Sequence, residues 1–159
     1  CSAPGARVLR TDCIRKRLAQ VPLDARLGSE GYTTAMTRRT YRALFEEAEA
    51  ALAAGRAVIA DGVFAAASER AALRDLADRL SVPFCGLWLE APTEILTERV
   101  GARRGDVSDA TADVVRMQQR VCTGAVEWDH VDAAGPAEET AQSARKILSG
   151  KPKRPQSHR

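Results

Sequence analysis

Asp12 and Arg15, in the run Asp12-Cys13-Ile14-Arg15, set a carboxylate and a guanidinium one helical turn apart, facing one crevice. Such a pair suits phosphoryl transfer. The carboxylate accepts or orients the proton of a substrate hydroxyl, while the guanidinium binds an anionic oxygen or holds the carboxylate in place. The bare pattern also describes an exposed ion pair on a helix, so its position in the chain decides between the two. Asp61 and Glu90 stand at the ends of two further apolar runs. Three acids at three strand ends are the main functional signal in the pattern, because ligands of open parallel sheets bind beyond the carboxyl ends of the strands.

The elements that must position these acids follow from periodicity and punctuation. ARVLRTD predicts a short strand ending at Asp12, and DCIRKRLAQV, with Ile14, Leu18 and Val21 on one face, an amphipathic helix. PLDARLGSEGY over 22–32 reads as a loop. Thr33 or Thr34 then caps a long helix that runs to about Ala54 and stops at Gly55. AVIADGVF predicts a strand buried on both faces up to Asp61. Ser68 is expected to cap a helix to Leu80, with Ala71, Leu73, Leu76 and Leu80 on its buried side. VPFCGLWLEA predicts a third strand, and Pro92 starts a helix leading into RRGDVSD. A helix from Ser108 or Asp109 to about Val121, a weak strand at EWDHVDAA and a terminal helix at PAEETAQSARKIL complete the order. Strands alternating with crossover helices predict an α/β fold with a parallel sheet and flanking helices.

The 159 residues are 45% apolar and 28% charged, which fits one globular domain and argues against disorder. No apolar run reaches the roughly 18 residues of a spanning helix, and no secretory signal is visible. A cytoplasmic protein away from the membrane is expected. The net charge of +3 belongs to KPKRPQSHR at 151–159; residues 1–150 hold 20 basic against 21 acidic residues, a net −1. A body of that charge predicts no specific nucleic-acid binding, and the basic tail is expected to be disordered. Of the 24 basic residues 20 are arginine, a bias that weakens any role assigned to an arginine by identity alone. Cys1, Cys13, Cys85 and Cys122 form no metal-type spacing, so Cys13 and Cys85 are expected as small buried side chains.

On ARVLRTDCIRKRL, on GYTTAMTRRTYRALFEEAEAALAAGRAVIADGVF and on the stretch from ERAALRDLADRL through RRGDVSDAT, the chain resembles the P-loop kinase-type ATPase domain of bacterial aminoglycoside phosphotransferase/ATP-binding fusion proteins. More widely it is similar to the zeta-toxin, polynucleotide-kinase and gluconate-kinase group. The likeness covers about residues 6–134. It implies an ATP- and Mg2+-dependent phosphotransferase acting on a small hydroxyl-bearing substrate, with an N-terminal phosphotransferase domain as a further partner. Asp12 matches the acid that acts as general base or binds the acceptor hydroxyl, and Arg15 the arginine of the same motif. Asp61 matches the acid near the magnesium or the acceptor, and it also suits a cap for the turn at Gly62. Arg99, Arg103 and Arg104 match the lid arginines that close over the nucleotide phosphates. Asp106, Ser108 and Asp109 match the signature between lid and helix. Tyr32 and Tyr41 suit packing as well as substrate contact.

The resemblance lacks one part. G-x-x-x-x-G-K-[ST], whose backbone amides and lysine hold the phosphates, does not occur; Gly150-Lys151 is followed by Pro152. Residues 1–150 are therefore expected to be a P-loop kinase-like domain without its first strand, phosphate loop and first helix. Those elements take about 30 residues and put the intact domain at about 190. Alone, such a chain is expected to be inactive: a fragment, or half of a site that a partner completes. Two other readings remain: a non-catalytic interaction or regulatory module, and a lipid-anchored protein beginning at Cys1 of CSAPG.

Overall fold

The computed structural model describes residues 5–102, 108–109 and 125–150. Arg103, Arg104, Asp106, the helix expected from Asp109 to Val121, Cys1, Cys122 and the tail 151–159 lie outside the described residues.

Strand β1, Arg7–Arg10, stops two residues before Asp12, because helix α1 begins at Thr11 and runs to Leu18. Asp12 therefore sits in the first turn of α1, where a carboxylate favours the positive end of the helix dipole. A one-turn 3₁₀ helix, Ser29–Tyr32, leads into α2, Thr34–Ala53. Of the two expected caps, Thr33 is the one that serves α2, its hydroxyl accepting the Met36 N–H at 3.2 Å. Gly55, at φ +74°, ends it in the left-handed turn that glycine adopts without strain. Strand β2, Val58–Asp61, lies parallel to β1 with Arg10 opposite Asp61. Helix α3 spans Ala67–Arg79, β3 Leu87–Glu90, α4 Thr93–Ala102, β4 Asp129–Asp132 and α5 Ala137–Gly150.

The fold is mixed α/β with parallel strands and flanking helices, and its strands form two separate pairs. β1 pairs with β2 and β3 with β4, both parallel, and no ladder joins β2 to β3 among the described residues. Pairing on one edge only explains why β2, expected to be buried on both faces, is half-buried with Asp61 exposed. It also explains the exposure of Val8 and Leu89. The third strand is shorter than VPFCGLWLEA because only Leu87–Glu90 find partners in β4.

One face of α2 builds the core. Tyr41, Leu44 and Ala48 pack with Leu9 of β1, Ile14 of α1, Phe64 and Leu76, and burying each large side chain contributes about 1.5–3 kcal/mol. Helix α3 differs from expectation at two points. Its cap is Ala66 rather than Ser68, since the Glu69 carboxylate reaches back to the Ala66 N–H at 3.3 Å. Ala71 is exposed, and the buried face carries Leu76, Ala77 and the Arg70 guanidinium. Arg70 donates to the carbonyls of Phe64 and Ala65 at 2.7 and 2.8 Å. These bonds, with the Tyr41 hydroxyl accepting the Phe64 N–H at 2.8 Å, hold Phe64 at φ +46°, a conformation a side-chain-bearing residue adopts only when its surroundings enforce it. The two strand pairs meet at a seam of rings: Trp128 against Phe64 at 5.3 Å and Phe84 at 5.9 Å, with Arg70 over Trp88. Gly86 is required there, because a Cβ would run into the Trp128 indole. Cys13 and Cys85 are half-buried rather than enclosed. No helix of the described residues is long and apolar enough to cross a membrane.

Candidate functional site

The start of α1 gathers polar side chains from four parts of the chain. Asp12 lies between Arg10 at the end of β1, Arg15 one turn along, Asp61 at the end of β2 and Ser108 after α4. Burial pushes its carboxyl above the ordinary 3.8, and the neighbouring Asp61 adds to the shift; the Ser108 hydroxyl, Arg10 and Arg15 oppose it. A partly desolvated carboxylate of raised basicity suits the acceptance of a proton. Asp61 is held by Arg10, whose Nε donates to it at 3.1 Å. Gly62 lets the turn after Asp61 close on α1, because a Cβ there would stand 2.6 Å from the Thr11 methyl.

Arg15 is buried and faces neutral acceptors. Its guanidinium donates to the Gly31 carbonyl at 2.9 Å and to the Thr37 hydroxyl at 3.3 Å, and lies over the Tyr32 ring at 5.2 Å. These contacts tie the 22–32 loop and the start of α2 to α1. Arg99 has other partners: its guanidinium donates to the carbonyls of Ala133, Ala134 and Gly135, closing the turn between β4 and α5. Asp12, Arg15 and Asp61 are thus brought together, whereas the contacts found for Arg99 among the described residues lie at that turn.

The sequence pattern missed Lys16, Tyr32 as a polar group, Thr37 and Glu69. Lys16 is buried on α1, its ammonium donating to the Leu23 carbonyl at 3.0 Å and to Asp109 at 3.2 Å. A signal was present: in a chain that writes its cations as arginine, Lys16 and Lys146 are the lysines before residue 151. Asp109, expected as part of the segment after the lid, also accepts from the Leu27 N–H and the Tyr32 hydroxyl. Burial and the Asp109 charge push the Tyr32 phenol up to about 12. On the far side of Tyr32, between α2 and α3, lies a cavity of about 740 Å³ lined by Tyr32, Thr37, Tyr41, Phe45, Glu69 and Leu76 among others. Burial raises Glu69 above its ordinary 4.5, against the N–H of Ala66 and the Tyr41 hydroxyl, which lower it.

A family model described as an AAA domain matches residues 1–125. The chain belongs to this family. Curated relatives of this AAA domain include the uncharacterized proteins Rv2004c of Mycobacterium tuberculosis strain H37Rv and Mb2027c of Mycobacterium bovis, each 29% identical over 150 residues. That match takes in 90% of this chain and 30% of each relative, so the chain spans about a third of the relatives' length. Among solved structures, a gluconokinase from Sinorhizobium meliloti 1021 superposes with a TM-score of 0.54 at 21% identity, covering 91% of this chain and 81% of that one. At that identity the likeness concerns the fold, which is that of a P-loop kinase-like domain.

Nucleotide and Mg2+ use belong to that fold in general. The phosphate-cradling motif does not occur in the sequence, and no cluster of three or more metal-ligating side chains occurs among the described residues. Asp61, expected near the magnesium, has its charge met by Arg10. What the described residues do build is a carboxylate of raised basicity, Asp12, close to Tyr32, which in turn lines the cavity between α2 and α3.

Proposed function

We propose that this chain builds the acceptor side of an ATP-dependent phosphotransferase of the P-loop kinase type, acting on a hydroxyl of a small molecule. The observation that carries this reading is the placement of Asp12. It stands at the carboxyl end of the parallel β1–β2 pair, at the start of α1, with Ser108, Arg10 and Arg15 around it and its proton affinity raised by burial. In this reading Asp12 takes the proton of the acceptor hydroxyl. Arg15 fixes the Tyr32 and Thr37 wall, and Asp61, countered by Arg10, borders the place where the hydroxyl enters. Arg103 and Arg104 are assigned to the transferring phosphate. Arg99 is assigned no nucleotide contact, because three backbone carbonyls already hold its guanidinium.

The acceptor is assigned to the neighbourhood of Tyr32, which is close to Asp12 and also lines the cavity between α2 and α3. Tyr41, Phe45 and Leu76 line that cavity with the hydroxyls of Tyr32 and Thr37 and the charged side chains of Arg38, Arg42, Glu46, Glu49, Glu69 and Arg79, a mixture that suits a polar, hydroxyl-bearing molecule. Likeness to a gluconokinase makes gluconate the first acceptor to assay, with kanamycin and uridine beside it. In the full-length protein, Asp12→Asn is expected to lower kcat by about 10²- to 10⁴-fold. ATP affinity is expected to stay within about twofold of wild type, since the change leaves donor binding alone. An unchanged kcat removes Asp12 as the base and this reading with it.

A further inference from the structure

Lys16 and Asp109 form a buried ion pair that also holds the hydroxyl of the exposed Tyr32, an arrangement the proton-transfer reading does not use. One Asp109 oxygen accepts from the Lys16 ammonium at 3.2 Å; the other accepts from the Leu27 N–H at 3.1 Å and from the Tyr32 hydroxyl at 3.2 Å. The Lys16 and Asp109 side chains are 2% and 8% exposed. Lys16 also holds the Leu23 carbonyl. The loop is therefore tied at Leu23, at Leu27 and at Tyr32 by one ammonium and one carboxylate. Tyr32 is the outlet of this cluster: its hydroxyl faces Asp109, its ring lies under the Arg15 guanidinium, and it lines the cavity.

We propose that Asp109 is a positioning residue that fixes the 23–32 loop on α1 and, through Tyr32, sets the wall that Arg15 and the cavity present to the acceptor. The proposal rests on the reading of Asp12 and Arg15 as the acceptor side. A carboxylate suits this task better than a hydrophobic side chain of the same size. Three donors from two elements converge on it, so it sets direction as well as contact. A buried ion pair contributes less to net stability than its Coulomb attraction suggests, because desolving both charges is costly; what this one supplies is a single orientation of the loop.

The test separates placement from turnover. Tyrosine ultraviolet absorbance is followed to about pH 10.5, just above the ordinary phenol value, with circular dichroism confirming that the protein is folded. Wild type is expected to show no tyrosinate there. Asp109→Asn removes the Asp109 charge and is expected to bring partial tyrosinate absorbance into that range, and Tyr32→Phe in the same background is expected to abolish that signal. Should Asp109→Asn fail to fold because Lys16 is left charged and buried, the Lys16→Gln/Asp109→Asn pair removes both charges and gives the same readout. In the full-length protein with gluconate as probe acceptor, Tyr32→Phe and Asp109→Asn are each expected to raise the acceptor KM about tenfold, with a smaller change in kcat. Combined, they are expected to give little more than either alone. A phenol that titrates as in wild type after Asp109→Asn overturns the proposal, as does a KM that stays put in both folded variants. If wild type transfers no phosphate to gluconate, kanamycin or uridine, the phosphotransferase reading fails, while the absorbance result still decides whether Asp109 places Tyr32.

Discussion

Two aspartate–cation pairs of almost equal length frame the start of α1. Lys16–Asp109 spans 3.2 Å and Arg10–Asp61 spans 3.1 Å, and each joins segments far apart in the chain. They differ in surroundings. The first pair has side chains 2% and 8% exposed and further hydrogen bonds on both partners; in the second the exposures are 36% and 59%. Distance therefore says little about what a pair does. Burial makes the first costly to break, and solvent makes the second cheap to lose.

The comparison is broken most severely by removing one member of the buried pair. Asp109→Ala leaves the Lys16 ammonium buried with the Leu23 carbonyl still accepting from it, and is expected to cost about 3–5 kcal/mol in a urea denaturation. A Lys16→Met/Asp109→Leu double variant is expected to recover much of that loss, since it removes the uncompensated charge.

An intermediate effect comes from Asp12, which lies between the two pairs in both position and burial. Its folded-state pKa is raised above 3.8, so the native protein binds this proton more tightly than the unfolded chain does. The resulting stability is fully present below about pH 3.8 and is lost as pH rises through the folded value. Asp12→Asn cannot ionise and escapes that loss. Its stability relative to wild type is expected to increase between about pH 3 and pH 7, as thermal unfolding across that range would show. A difference independent of pH would mean that Ser108 and the arginines fully offset the burial of the carboxylate.

The smallest effect belongs to the exposed pair. Arg10→Ala or Asp61→Asn is expected to change stability by about 1 kcal/mol or less, and the change should shrink in about 1 M salt, where surface charges are screened. A loss near that of Asp109→Ala would show that solvent exposure misjudges Arg10–Asp61.

What could be read in advance follows the same division between local and distant. A threonine cap at 33 or 34, Gly55 as stop and a strand closing at Asp61 all depend on neighbours within a few residues, where spacing carries information. The Asp12–Arg15 pair was legible for that reason. Lys16 and Asp109 were not seen as partners, because 93 positions separate them and no periodicity records a contact across such a gap. The pattern around Asp109 points to a helix start, and nothing local announces that it also accepts from Lys16, Leu27 and Tyr32. Arg99 shows the converse: a segment that resembles a lid suggested phosphate, while the carbonyls of the turn after β4 take its nitrogens. The division of the strands into two pairs was likewise hidden, since an apolar run reveals that a strand is buried and leaves open which strand it pairs with.

The seam between the strand pairs carries an optical consequence. Trp88 and Trp128 are the two tryptophans of the chain, and both lie there, one beneath Arg70 and the other against Phe64 and Phe84. Indole emission from this protein is thus a local gauge of whether the β1–β2 and β3–β4 halves stay docked. Helix content, carried largely by α2, α3 and α5, reads the rest of the molecule, so the two signals part company wherever the halves separate before the helices melt.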